Sequence, residues 1–148
     1  MNKILITIDS THDGQECQDC TRILFNAYIS WAKNNNFITN ILNRVQNDAD
    51  GIKNAVIEII GDNIDDRIKN ETGIHRFVRI SPFDSQHRRH STFVKVTING
   101  DKSVATGFLR SYIFDPYVLI KNHISNNIEI TDRNVISEIF NGKLEHLF

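Results

Sequence analysis

One stretch of helical periodicity, set among segments that alternate in polarity, limits the folds open to this chain. From Gln15 onward, apolar residues recur at three- and four-residue spacing: Cys17, Cys20, Ile23, Leu24, Ala27, Tyr28, Trp31 and Ala32. The pattern predicts one long amphipathic helix that ends at the asparagine run 34–36. Asp13, followed three residues later by Glu16, predicts the N-cap of a capping box.

Most other apolar residues alternate with polar ones, which is typical of half-buried strands. The predicted strands are Leu5–Ile8, Phe37–Asn43, Ala55–Ile60, Phe93–Ile98 and Leu109–Phe114. The dipeptide Asn99-Gly100 favours a hairpin turn, across which Val104–Phe108 is expected to pair back. A helical turn is predicted at Ile64–Lys69.

The segment near the C-terminus predicts a second, short helix. Thr131 is a suitable N-cap for Val135–Phe140, and Gly142 a suitable stop. We therefore predict one α+β domain over residues 1–148. Its mostly antiparallel sheet packs against one long helix and a short C-terminal helix.

Composition narrows the class of protein. The chain has 148 residues, of which 40% are hydrophobic and 24% charged, so it is expected to fold as one globular domain. No apolar run approaches the roughly 18 residues of a membrane span, and the N-terminus is too interrupted for a signal peptide. We expect a cytoplasmic protein without a membrane partner.

Charge is distributed unevenly along the chain. The net charge of −1 argues against wholesale electrostatic binding to nucleic acid, and no DNA partner is expected. Between residues 73 and 95, however, basic residues far outnumber the single acid Asp84: Arg76, Arg79, Arg88, Arg89 and Lys95, with His75, His87 and His90. The chain thus combines a local basic segment with a neutral body.

The two cysteines form one isolated C-x-x-C pair. Cys17 and Cys20 fall inside the predicted helix, and no second pair stands at zinc spacing, so we interpret them as buried thiols rather than a redox pair. His87 and His90 are spaced as two metal ligands would be, but no third ligand accompanies them. No metal and no cofactor are expected.

Several short motifs follow one another in a fixed order along most of the chain. The segment Ser81-Pro82-Phe83 precedes Arg88-Arg89-His90, and Glu71–Arg76 reads ETGIHR. Other motifs lie at Glu16–Asp19, Tyr28–Ala32, Gly51–Lys53, Glu58–Gly61, Arg110–Tyr112, Asp132–Asn134 and Asn141–Leu144. This arrangement resembles the decoding region of bacterial peptide chain release factors of the type that reads UAA and UGA.

The resemblance implies two missing parts. Such factors carry an N-terminal helical domain and a catalytic Gly-Gly-Gln domain, and the sequence contains no Gly-Gly-Gln tripeptide. Where that catalytic domain would be inserted, the chain has a hairpin at 99–103. The near-match Asp13-Gly14-Gln15 aligns with the start of the long helix instead. The resemblance therefore implies a protein that is not an enzyme.

The resemblance also implies a set of codon-reading residues. Pro82 fixes its own backbone and restricts Ser81, whose hydroxyl both donates and accepts, so that either A or G is accepted. Phe83 adds apolar bulk beside it. The other residues that the resemblance assigns to the stop codon are His90, Ser91, Val78, Gly14 and Glu16. Those it assigns to ribosomal RNA are Arg76, Arg79, Arg88 and Arg89.

Two positions depart from the family pattern. Asp13 replaces the first of two glycines at the helix tip, where a base would approach closely. Gln86-His87 replaces a glycine pair after the Ser81 motif, which restricts the loop.

Three functions remain open at this stage. The chain is expected to bind the ribosomal A site at a stop codon without hydrolysis and to modulate termination. Alternatively, it is a decoding subunit that works with a separate Gly-Gly-Gln hydrolase. The third alternative is a repurposed RNA-binding or ribosome-rescue protein.

Overall fold

The computed structural model describes residues 1–68 and 71–100, and the backbone of 108–113. The strands are β1 (Asn2–Ser10), β2 (Ile38–Gln46), β3 (Ile52–Gly61), β4 (Gly73–Ile80), β5 (Arg89–Ile98) and β6 (Phe108–Ile113). The helices are α1 (Gln15–Asn34) and α2 (Ile64–Ile68). The strands form one sheet in the order β2-β3-β1-β5-β4-β6. Every pairing in it is antiparallel except that of β4 with β6.

The core lies between α1 and one face of the sheet. Alternation in β1 sends Ile4, Ile6 and Ile8 to this face, and none of the three is exposed. Tyr28 and Trp31 meet them from the helix and are equally buried. Each large apolar side chain buried in this way contributes about 1.5–3 kcal/mol, so these contacts fix how α1 lies on the sheet.

The prediction of one long helix over a mostly antiparallel sheet is confirmed within the described residues. The helix ends in the predicted asparagine run, where Asn36 takes a left-handed conformation with φ of 60°. Its predicted start was wrong in detail. The N-cap is Gly14 rather than Asp13, and no side chain caps the helix. Glu16 does not complete a capping box because its carboxylate is bound to Arg79.

The predicted strands are present, and β1, β3 and β5 extend further at their N-terminal ends than the sequence indicated. β2 is displaced toward its C-terminus, and β6 agrees with the predicted Leu109–Phe114 as far as Ile113, the last residue described there. β4 was not predicted as a strand. Asn99 and Gly100 both have positive φ, at 51° and 71°, as the predicted hairpin turn requires. Phe108 pairs with Ile74 of β4, in parallel, rather than with β5. Residues 101–107 and the predicted C-terminal helix, with Thr131, lie outside the described residues. In the part of the chain that the structure describes, no helix has the length and hydropathy needed to span a membrane.

Candidate functional site

A groove of about 550 Å³ opens where the start of α1 meets the loop between β4 and β5. Residues predicted from separate parts of the sequence line this groove together: Gly14, Glu16, Ser81, Phe83, Arg88 and His90. The helix tip arrives there because β1, which precedes it, pairs directly with β5. The fold thus brings the helix tip and the Ser81 loop, which are far apart in the sequence, to one place.

The loop from Ser81 to Arg88 is closed by its own backbone. The Ser81 amide donates to the Arg88 carbonyl at 3.3 Å, and the Asp84 amide donates to the Ser81 carbonyl at 3.3 Å. The Phe83 amide donates to the Ser81 hydroxyl oxygen at 3.1 Å. That oxygen keeps its hydrogen and a second lone pair for another partner. Ser81 is 1% exposed and forms part of the groove floor, while Phe83 is 40% exposed.

Asp84 organises this loop from its centre. One carboxylate oxygen accepts the Gln86 amide at 2.9 Å. The other accepts the Arg88 Nε–H at 2.8 Å and lies 2.8 Å from His90 Nε2. The bond to His90, then those from Arg88 and the Gln86 amide, hold the pKa of the Asp84 carboxyl well below its usual range. The Asp84 carboxylate is therefore charged in the folded protein at neutral pH.

The turn of the loop depends on an unusual backbone conformation. His87 has φ of 53°, in the left-handed region that favours glycine. Its amide donates to the Asp84 carbonyl at 3.0 Å, which holds the chain in this turn. Position 87 is one of the two at which this sequence departs from the glycine pair of the pattern it resembles.

Behind the groove, a buried ionic network joins α1 to β4. The Arg79 guanidinium donates to both oxygens of Glu16, at 2.8 and 2.9 Å, and to Asp19 at 2.7 Å. Burial alone would lower the pKa of Arg79, but the bond and charge of Glu16, the neighbouring Cys20 and the bond to Asp19 together hold the pKa above its ordinary value. Arg79 is 5% exposed. Because its guanidinium is bound to Glu16 and Asp19 inside the protein, we do not propose that Arg79 contacts RNA.

Cys20 lies beside the ionic network, and Cys17 lines the groove. Cys20 Sγ lies 3.3 Å from a Glu16 oxygen, and Cys17 Sγ donates to the Phe93 carbonyl at 3.3 Å. Burial raises the pKa of the Cys20 thiol, so it is a poor nucleophile. Both cysteines are free and buried, which confirms the interpretation of them as buried thiols.

Other predicted residues lie on the opposite face of the sheet. Val78 pairs in register with Ser91, one position away from the pair formed by Arg79 and His90. Because side chains alternate between faces, Val78 and Ser91 point away from α1 and the groove. Arg76 and Arg89 share that outer face by the same alternation. The predicted set is therefore divided between two surfaces.

Six residues that line the groove were not among the predicted site residues: His12, Gln15, Cys17, Asp84, Ser85 and Thr92. Thr92 is 8% exposed, and its hydroxyl donates to Cys20 Sγ at 3.4 Å. It stands two positions after His90 on the same strand, so strand alternation was the signal that could have found it. His12, in the polar turn before α1, also lines the groove; nothing in the sequence pattern distinguished it.

Comparison with known proteins shows the family to which this chain is similar. Residues 1–96 match the family model described as the PCRF domain. Over 95 residues the chain is 41% identical to peptide chain release factor 2 of Helicobacter acinonychis (strain Sheeba), covering 64% of this chain and 26% of that protein. The corresponding protein of Kosmotoga olearia is 42% identical over 85 residues, covering 57% of this chain and 23% of its own length.

The chain is also similar to a release factor of known structure. RF2 of Thermus thermophilus aligns with a TM-score of 0.62 and 31% identity, over 65% of this chain and 27% of its own. The chain thus spans about a quarter of the length of the relatives it matches. It belongs, through its PCRF domain, to the family of peptide chain release factors.

Proposed function

We propose that this chain binds the ribosomal A site and recognises UAA and UGA stop codons, without hydrolysing peptidyl-tRNA itself, and so modulates translation termination. The observation that carries the proposal is the shared groove of Gly14, Glu16, Ser81, Phe83 and His90. Reading one single-stranded codon requires its recognition groups to be gathered within the span of a few bases. A groove of about 550 Å³ has the size for such a contact.

The chemistry of the groove suits base edges and faces. Ser81 offers a hydroxyl that both donates and accepts, which allows adenine or guanine at the second position. Phe83 and His90 offer flat side chains on which unpaired bases stack. Ser81 lines the groove, so we propose that the base edge enters between the helix tip and the loop to reach its hydroxyl.

Basic residues in the groove and on the outer face of the sheet supply the attraction to RNA. The Arg88 side chain is 67% exposed, and Arg89 is also exposed. We propose that Arg88 in the groove, with Arg89 and Arg76 on the outer face, contacts ribosomal RNA. Val78 and Ser91 lie on that same outer face, so we propose that they act there, away from the groove.

The proposed lack of hydrolysis rests on the sequence. It holds no Gly-Gly-Gln tripeptide, and residues 99–103 stand where the resemblance would place the catalytic domain. A separate Gly-Gly-Gln protein would supply hydrolysis in the second candidate function. The left-handed His87, in place of glycine, is the observation that favours the third candidate, a repurposed RNA-binding protein.

Binding to ribosomes that carry UAA, UGA, UAG or a sense codon in the A site tests the proposal. We expect tighter binding to UAA and UGA than to the other two. Ser81→Ala should weaken UGA binding by about 1–3 kcal/mol, the cost of an unpaired base edge. Ser30→Ala, remote on α1, is the matched control and should bind as the unmodified protein does.

Two further outcomes separate the candidates. Equal binding to all four codons, unaffected by Ser81→Ala, would refute codon reading and favour the repurposed RNA-binding protein. If codon-specific binding slows hydrolysis by an intact release factor, the non-hydrolysing modulator is supported. Peptide release only on addition of a Gly-Gly-Gln protein would instead support the decoding subunit.

A further inference from the structure

The Asp84 side chain lines the groove and bonds to three groups of the loop and of β5 around it. Its side chain is 7% exposed and accepts from the Gln86 amide, from Arg88 and from His90, with all three distances between 2.8 and 2.9 Å. These bonds engage both carboxylate oxygens with partners inside the protein. The part that Asp84 takes in recognition therefore runs through those partners.

The neighbour that matters most is His90. Because the Asp84 carboxylate accepts at Nε2, that ring nitrogen carries the hydrogen, and Nδ1 is the nitrogen left for other partners. A bond from a nearly buried carboxylate also restricts rotation of the ring. The His90 side chain is 36% exposed and lines the groove, so its orientation decides which surface a base meets.

We infer that Asp84 is a positioning residue for codon reading, acting through His90 by fixing the plane and tautomer of its imidazole. This inference rests on the proposed function. It assigns Asp84 no contact with RNA. The same carboxylate oxygen also accepts from Arg88, so Asp84 links the positions of the Arg88 and His90 side chains.

A double-mutant cycle on UGA-programmed ribosomes tests this inference. Asp84→Asn keeps the shape of the side chain but removes its charge, and we expect about fivefold weaker binding. In a His90→Ala background the same substitution should cost less than about twofold, because the residue through which it acts is gone. Asp62→Asn, at an exposed site far from the groove (84% side-chain exposure), is the matched control.

A second measurement uses the free protein. In proton NMR, the Nε2–H of His90 should be protected from exchange with water, and Asp84→Asn should remove that protection while the melting temperature confirms an intact fold. Additive effects in the cycle, tighter binding by Asp84→Asn, or an unchanged Nε2–H would each overturn the inference. If the unmodified protein does not prefer stop codons, the proposed function fails, and the NMR result still decides whether Asp84 fixes His90.

Discussion

Glu16 and Arg79 form a two-bond ion pair, with Nε–Oε2 at 2.8 Å and Nη2–Oε1 at 2.9 Å, that joins the first turn of α1 to the end of β4. The pair lies directly behind the groove, and Ser81 follows Arg79 by two residues. Its side chains are 10% and 7% exposed. The helix tip and the loop are thus held at a fixed separation by one buried contact.

Breaking the pair between Glu16 and Arg79 should lower the free energy of unfolding. Glu16→Gln leaves the Arg79 charge buried with Asp19 as its remaining carboxylate, and we expect a loss of about 3–5 kcal/mol in the free energy of unfolding. Urea denaturation measures this directly. Glu58→Gln, which breaks the more exposed pair with Lys3, is the control and should cost less than about 1 kcal/mol. Equal effects would contradict a structural role for the Glu16 pair.

The charge on Asp84 predicts how stability responds to acid. Its pKa is lowered on folding, chiefly by His90 and then by Arg88, so its contribution is present above the unfolded pKa of about 4 and is lost as the pH falls below that value. Asp84→Asn removes this dependence. Melting temperatures of the two proteins should therefore differ at pH 6 and converge as the solution approaches pH 2. A constant difference across this range would argue against the lowered pKa.

The periodicity of the sequence was sufficient for α1 and for most strands, because apolar residues make up most of their buried faces. It was insufficient for β4, whose helix-facing side carries His75 and Arg79, at 0% and 5% exposure. These polar residues break the alternation that identifies a strand. His75 is bonded to the nearby Glu71 carbonyl, but the partners of Arg79 are Glu16 and Asp19 on α1, far away in the sequence, which no local pattern reveals.

The sequence predicted only part of the candidate site. The resemblance supplied Ser81 and His90, and the groove brings both together. It also supplied Val78 and Ser91, which the register of β4 against β5 sends to the other face. Which residues share a face depends on that register, and the sequence did not predict β4 at all. Asp84 was visible only as a lone acid among basic residues, because its bonds depend on the folded loop.

The left-handed backbone at His87 predicts that glycine is better tolerated at position 87 than at position 85. An L-residue there costs about 1–2 kcal/mol, which glycine removes while adding a smaller entropy cost in the unfolded chain. His87→Gly should therefore be at least about 0.5 kcal/mol more stable than Ser85→Gly, since φ at position 85 is not positive. Thermal denaturation of both variants checks this. The prediction fails if the two glycines destabilise equally.

We expect substitution of Gly14 to affect codon binding but not stability. Its backbone is extended, and an added Cβ would meet no atom within 4 Å, so Gly14→Ala should change the free energy of unfolding by less than about 1 kcal/mol. If a codon base approaches this backbone, as we propose, the added methyl group should nevertheless weaken binding to UGA-programmed ribosomes.

Gly61→Ala is the opposite case and completes the comparison. A Cβ at this position would overlap the ring of Phe37, so this variant should lose about 1–3 kcal/mol of stability. Because Gly61 lies at the end of β3, outside the groove, ribosome binding per folded molecule should be unchanged. If Gly14→Ala left binding unchanged, the start of α1 would not face the codon, and the groove would be occupied from the Ser81 loop alone.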